Sequence, residues 1–254
     1  MLAEARLLEL ADEHASGALH LNGRSGGTIF LAHGRIGHVE SVLTPGVEAL
    51  VLRPTYPDER SWAELVLTLR RGETEAAASA AAQLLRHDST LAANAEILRR
   101  IAMADAALAT LGAAAPATAR TRTRFRPGEK HWYQSLRTFA VADVLAEVHR
   151  RNVVLAGLTL GVQPDRAVRR VPTLPIERIR LTATQWNIAR SADGGKNPLD
   201  IAWLLGHSGF ATTVAVHQLA RLGVLTTAPE LAKSSSSGLV SGQHVTTFLR
   251  AFAR

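Results

Sequence analysis

The chain has 254 residues, of which 46% are hydrophobic and 20% are charged, so it can bury a sizeable core. It contains no cysteine, which excludes disulfides, thiolate zinc sites, cysteine nucleophiles and iron–sulfur clusters. The opening residues lack the pattern of a secretory signal, and no apolar stretch is long enough to cross a bilayer. We therefore expect a cytoplasmic protein that does not contact a membrane.

The formal net charge of +7 is distributed unevenly along the chain. Residues 1–119 carry 10 Lys and Arg against 14 Asp and Glu, whereas residues 120–190 carry 14 against 5. An acidic front half joined to a basic centre is typical of a protein in which one part senses a signal and another contacts a polyanion.

Residues 1–111 predict a small antiparallel sheet with helices. Apolar residues at helical spacing, including Leu7 and Leu10, predict a helix at the start. Three strand-like runs with glycine-containing turns between them follow, at residues 18–21, 28–31 and 35–43. Helices are then expected to begin at residue 47 and to cover residues 62–69, 74–85 and 89–111. We expect Arg99 and Arg100 on the exposed side of the last helix.

Residues 112–130 lack an apolar period and predict a basic linker. Four arginines alternate with other residues there, at Arg120, Arg122, Arg124 and Arg126. Arginine forks bind phosphates, and Phe125, Trp132 and Tyr133 could stack on bases, so the run predicts a nucleic-acid contact. A soluble linker without a binding role fits the same pattern, and both interpretations stay open.

Residues 131–175 predict a central α/β segment. A helical stripe at residues 138–150 is followed by an apolar run at residues 153–160 that predicts a strand. Prolines then interrupt an irregular basic segment, which contributes Arg169 and Arg170.

Residues 176–232 have the element order of a winged helix-turn-helix. Three helices and a strand are expected, at residues 182–192, 198–205, 210–222 and 224–227. The third helix would enter the major groove of DNA, with Thr212, His217, Gln218 and Arg221 on its outer face. Because this face is weakly charged, further phosphate contacts are expected from Arg169, Arg170, Arg178 and Arg180. Residues 233–254 predict a serine-rich tail and a terminal helix.

Two parts of the sequence resemble bacterial regulators of the DUF4388 (PATAN-like) type. The first part comprises residues 16–21, 27–39 and 46–50, with Gly34, Ile36 and His38 at matching places. The second, residues 179–186, 193–194 and 200–206, resembles the winged helix often appended to that domain. The resemblance covers about half of the chain and implies a regulator or signalling module, without implying a mechanism.

The sequence favours neither a hydrolase nor a metal site. The run Gly206-His207-Ser208-Gly209-Phe210 lacks the final glycine of a hydrolase elbow, so Ser208 is expected to cap a helix instead. His20, His33 and His38 could approach one another across a hairpin, but no Asp or Glu joins them at a characteristic spacing. We expect surface or turn histidines and no metal.

The sequence therefore predicts a non-enzymatic α+β regulator that needs no cofactor and binds double-stranded DNA as a homodimer. Two other classes stay open. One is a signalling adaptor that binds proteins, and the other is a receptor for an anionic nucleotide held by the arginine run. A salt-dependent interaction with duplex DNA would distinguish the regulator from the adaptor.

Overall fold

The computed structural model describes residues 3–23, 26–56, 58–112, 122–133, 137–158, 165–172 and 178–227. The fold is α+β, as predicted, and combines small antiparallel sheets with several helices. The chain forms two compact units. The N-terminal unit comprises the described residues of Met1–Pro54 and Leu69–Gly157, and the C-terminal unit comprises those of Thr55–Thr68 and Leu158–Arg254.

The elements follow one another in a mixed order. The described helices are α1 (Ala3–Asp12), α2 (Val47–Leu52), α3 (Glu59–Arg70), α4 (Glu75–His87), α5 (Ser89–Leu111), α6 (Val141–Ala156), α7 (Ala183–Ser191), α8 (Pro198–Leu205) and α9 (Gly209–Arg221). The described strands are β1 (Gly17–Asn22), β2 (Gly27–Ala32), β3 (Arg35–Ser41), β4 (Arg122–Pro127), β5 (Val168–Arg170), β6 (Asp193–Lys196) and β7 (Leu225–Thr227). The predicted tail at residues 233–254 lies outside the described residues.

The sheet of the N-terminal unit has the strand order β3-β2-β1-β4, and each neighbouring pair is antiparallel. A two-residue turn joins β2 to β3, and both of its residues, His33 and Gly34, have the positive φ that such tight hairpins require. Leu19, Ile29 and Val39 belong to the core, which the sheet shares with α1, α5 and α6. The three strands predicted before residue 44 are confirmed.

Strand β4 lies within residues 112–130, for which the sequence predicts a linker. Its residues pair with β1 from Gly17 to Asn22. The arginines of β4 are exposed, whereas Thr123 and Phe125 are half-buried, and Phe125 packs against the core. The alternation of arginine with other residues is therefore the period of a half-buried strand, and a search for helical periodicity does not detect it.

Helix α6 extends to Ala156, so the strand predicted at residues 153–160 is wrong at residues 153–156. Val141, Val144 and Val148 form the buried stripe of this helix. Val153, which is exposed, and Val154, which is half-buried, continue the helix, so the tertiary context overrides their β-branched character.

The C-terminal unit has a core of apolar residues from its helices and its sheet, among them Ile188, Ile201, Val216 and Leu219. The sheet has the order β6-β5-β7, so β5, which precedes α7, lies at its centre. From α3, the fully buried Trp62 donates through Nε1 to the carbonyl oxygen of Leu204 at 2.8 Å. This bond fixes α3 to the C-terminal end of α8.

Local hydrogen bonds define the ends of the last three helices. Capping boxes open α7, with Thr182 and Gln185, and α8, with Asn197 and Asp200. Gly206, at a φ of 62°, ends α8.

Helices α8 and α9 are bent by 120° at this break. In the part of the chain that the structure describes, no single helix is long and apolar enough to span a membrane, although α8 and α9 together pass that test by length and composition.

Candidate functional site

Helix α9 carries four of the residues predicted to contact DNA, and the structure divides them. Gln218 and Arg221 are exposed. Thr212 and His217 are only 1% and 4% exposed, so the prediction that they contact DNA is wrong. The buried stripe of α9 is wider than the sequence indicates, because it includes Thr212, Thr213 and His217 beside Val216 and Leu219. Thr212 and His217 are therefore core residues.

The exposed side of α9 is narrow and weakly charged. Ala211, Gln218 and Arg221 lie along it at helical spacing, with Ala215 half-buried between them. Gln218 Oε1 accepts a long hydrogen bond of 3.5 Å from Gln185 Nε2, which links it to the first turn of α7. This contact with α7 orients the side-chain amide of Gln218.

The basic residues predicted beside this helix are all exposed in the C-terminal unit. Arg169 and Arg170 lie on β5, opposite Thr226 and Leu225 of β7. Arg178 and Arg180 lie in the segment before α7. Their guanidinium groups are accessible to a polyanion from solvent.

Three of the four predicted arginines of the central run form a row on β4, which we call the arginine row (Arg122, Arg124 and Arg126). They alternate along the strand and are exposed, so successive guanidinium stems lie about 7 Å apart. Arg126 Nη1 is 3.5 Å from Glu129 Oε2. Arg120 lies outside the described residues.

Two of the three aromatic residues predicted to stack on bases, Phe125 and Trp132, have partners within the N-terminal unit. Phe125 packs against the core of the N-terminal unit, and Trp132 donates through Nε1 to the buried carboxylate of Glu48. The arginine row is therefore positively charged, but Phe125 and Trp132 do not provide aromatic rings beside it on which bases could stack.

A second group of residues, which the sequence analysis missed, comprises His38, Glu40 and His131; we call it the histidine–glutamate cluster. His38 and Glu40 are two residues apart on β3, so their side chains share a face of the strand. His131 follows β4 and stacks on His38, with 3.9 Å between ring centroids. His131 Nε2 lies 2.8 Å from Glu40 Oε1 and 3.8 Å from Glu48 Oε1.

The two buried histidines of the cluster titrate in opposite directions. Burial lowers the pKa of His38 well below its ordinary value, and the positive charges of His131 and Arg99 lower it further. Burial also lowers the pKa of His131, but Glu40 and Glu48 outweigh it and raise this pKa to about 9. Near neutral pH the cluster therefore contains a neutral and a charged imidazole.

Arg99, which the sequence predicts to be exposed, is fully buried beside this cluster. Its guanidinium donates to Glu96 at 2.6 Å and to the carbonyl oxygens of Gly37 and Arg137. These partners explain the burial, because a buried charge is tolerated when it is paired and hydrogen-bonded.

The histidines considered in the sequence analysis do not form a common site. His33 is an exposed turn residue, as predicted. His20 Nε2 lies 3.0 Å from Glu129 Oε1, outside the cluster. His38 is only 2% exposed, so its assignment to the surface or a turn is wrong. The spacing His38-x-Glu40 on a predicted strand was the local signal of the cluster; its partner, His131, comes from a distant part of the chain.

We compared the chain with models of protein families, with curated proteins and with solved structures, and it matches none of them.

Proposed function

We propose that the protein is a DNA-binding transcriptional regulator. In this proposal the C-terminal unit contacts duplex DNA as a winged helix-turn-helix, and the N-terminal unit senses a partner or ligand. The observation that carries the proposal is the geometry of α8 and α9, two helices bent by 120° across a three-residue turn that begins with Gly206. Helix-turn-helix motifs join their helices at about 90–120° through a turn of three or four residues.

The start of α9 supports its role as the helix that enters the major groove. Ser208 Oγ accepts from the backbone N–H of Ala211 at 3.1 Å, which caps α9 directly after the turn. The small side chains of Ala211 and Ala215 allow the helix to approach base edges closely. An exposed glutamine, Gln218, can make a paired donor and acceptor contact with adenine.

The charges of this unit support the phosphate contacts that such binding needs. Residues 165–227 contain eight Lys and Arg against four Asp and Glu, whereas residues 55–68 of the same unit contain one against three. Arg221, at the end of α9, is exposed, as are Arg169, Arg170, Arg178 and Arg180. Phosphate contacts add affinity without base preference, so these arginines would position α9 and Gln218 would select sequence.

In this proposal the N-terminal unit has the sensing role. Its resemblance to DUF4388 domains stays a prediction, and so does the homodimer. A dimer would let two copies of a weakly charged α9 bind repeated half-sites, which multiplies a modest affinity.

A signalling adaptor is the second candidate function. Two large apolar side chains of the C-terminal unit, Trp186 and Leu222, are 60% and 44% exposed. Exposed aromatic and aliphatic residues beside a weakly charged helix are features of protein-binding surfaces. In the adaptor, the same unit would dock a protein and would bind DNA weakly or not at all.

Binding of the full chain to labelled duplex DNA over a series of salt concentrations tests the proposal. We expect the logarithm of the affinity to fall linearly with the logarithm of salt concentration, by about 0.9 per phosphate contact. Replacing Arg169, Arg170, Arg178 and Arg180 with Gln should weaken binding and flatten this slope. A charge-matched control replaces four exposed arginines of the N-terminal unit, Arg71, Arg86, Arg100 and Arg150.

The outcomes separate the candidates. An unchanged slope in the C-terminal variant, or an equal loss in the control, would contradict the proposal and favour the adaptor. A separate variant, in which Gln replaces each arginine of the arginine row, tests whether the row also contacts DNA. A flatter slope would add the row to the DNA contacts, whereas an unchanged slope would exclude it.

A further inference from the structure

We propose that His38, Glu40 and His131 bind a divalent transition-metal ion of the Zn²⁺ type, with Glu48 as the neighbouring carboxylate. The site lies within the N-terminal unit and is independent of the proposed DNA contacts. Each of the three residues offers one ligand atom, and these atoms lie within 4.8 Å of one another.

The spacing of the donor atoms is close to that of a metal site. Zinc binds imidazole nitrogen at about 2.0–2.1 Å and carboxylate oxygen at about 2.0–2.2 Å, so tetrahedral ligand atoms are about 3.4 Å apart. His131 Nε2 and Glu40 Oε1 are already at 2.8 Å. The ligand atom of His38 lies within 4.8 Å of both.

An unsatisfied polar atom provides a second, independent observation. Nδ1 of His38 is buried and has no hydrogen-bond partner among the described residues. Since buried polar groups are normally paired, this orphaned imidazole nitrogen of the cluster calls for a partner. A metal ion would be that partner, because the lone pair of neutral imidazole is a metal ligand.

Charge balance favours a cation at this place. Glu40 lies 2.8 Å and Glu48 3.8 Å from the same nitrogen of His131, so two carboxylates face one buried imidazole. A divalent ion that replaces the Nε2 proton would neutralise both carboxylates. Arg99 is the nearby positive charge, and its own carboxylate partner, Glu96, offsets it.

The residues around the cluster hold its ligands in place. The backbone N–H of Tyr133 donates to His131 Nδ1 at 3.1 Å, and the carbonyl oxygen of the same residue lies 3.3 Å from that nitrogen, so the backbone of Tyr133 holds the imidazole ring in place. Trp132 donates to Glu48 through Nε1. Such outer hydrogen bonds orient metal ligands and tune their basicity.

The ligand chemistry defines the class of ion. Two imidazoles with one or two carboxylates suit Zn²⁺ and its neighbours in the first transition row, whereas Ca²⁺ and Mg²⁺ prefer oxygen alone. The alternative is a metal-free buried ion pair between His131 and the two glutamates.

Zinc binding to the full chain, freed of metal with a chelator, tests the proposal by equilibrium dialysis and metal analysis. We expect one Zn²⁺ per chain and an increase in the thermal midpoint on its addition, with no competition from Mg²⁺. Glu40→Gln keeps the shape of the side chain but removes its charge, and it should lower the affinity at least about tenfold. Substituting Co²⁺ should give the visible absorption of a tetrahedral N/O site.

The matched control is His20→Gln, which removes a half-buried histidine of the same sheet outside the cluster and should leave zinc affinity unchanged. Circular dichroism establishes that each variant is folded. His131→Gln is the second variant and should lose the Co²⁺ spectrum. The proposal is overturned if the wild type binds no Zn²⁺, or if Glu40→Gln and His131→Gln both bind it as tightly as the wild type.

Discussion

His131 shows how neighbouring carboxylates hold a buried imidazole in its charged form. Its pKa is about 9 in the folded protein against an ordinary value of 6.5. The stabilisation from this proton is fully present below pH 6.5 and is lost as the pH rises through 9. For protein freed of metal, we predict that the free energy of unfolding falls by on the order of 3 kcal/mol over this range. Urea unfolding at several pH values measures it.

The variant His131→Gln isolates the contribution of this residue. It should unfold with little change in free energy between pH 6.5 and 9, because Glu40 and Glu48 then face no titrating imidazole there. His38 acts in the opposite direction, since its lowered pKa costs stability as the pH falls below 6.5. An equal alkaline loss in the variant and the wild type would show that the decline arises elsewhere.

Thr212 has a buried hydroxyl without a hydrogen-bond partner among the described residues. Replacing such a group by an apolar one of the same shape is neutral or stabilising. We therefore predict that Thr212→Val keeps or raises the thermal midpoint and leaves DNA affinity unchanged. A clear loss of DNA affinity in the folded variant would restore Thr212 as a DNA contact.

The pairing of β1 with β4 depends on the absence of a side chain at Gly17. This residue has a φ of 154°, and a Cβ there would collide with the carbonyl oxygen of Arg126. Gly23 has a similar φ of 144° but open space around it. We predict that Gly17→Ala destabilises the chain by about 1–3 kcal/mol more than Gly23→Ala does, as measured by urea unfolding. Equal losses would mean that backbone conformation alone matters at both sites.

The sequence predicts those helices and strands whose characteristic pattern of residues lies within the element itself. The hairpins of β1–β3 follow from alternation and Gly-containing turns, and α5 follows from its length and apolar period. Strand β4 carries the alternation of a half-buried strand, but this signal does not identify its partner β1, which lies about a hundred residues earlier. Long-range pairing converts an apparent linker into an edge strand.

The residues of the candidate sites were predictable where they depend on a local pattern and were not predictable where they depend on contacts between distant parts of the chain. Gln218 and Arg221 follow from the period of α9, whereas the burial of Thr212 and His217 depends on how many elements surround that helix. His38-x-Glu40 is visible in the sequence as a strand signal. The place of His131 beside it depends on the path of the chain after β4.

At the scale of the molecule, the N-terminal unit needs more than residues 1–111, the range that the sequence predicts as a domain. Its core includes Val141, Val144 and Val148 of α6, and β4 covers the edge of β1. We predict that a fragment of residues 1–157 unfolds cooperatively on heating, followed by circular dichroism. A fragment of residues 1–111 should lack a cooperative transition. Equal thermal midpoints for the two fragments would show that β4 and α6 are dispensable.

In the proposed function, α9 recognises the base sequence of duplex DNA. A site selected from a random duplex library with the full chain, together with a scrambled version of it, provides the two ligands for the most direct measurement. Gln218→Ala should reduce the preference for the selected site by about 1–3 kcal/mol at one base position, while Arg221→Ala should weaken both duplexes alike. The account is contradicted if both folded variants bind the two duplexes as the parent protein does.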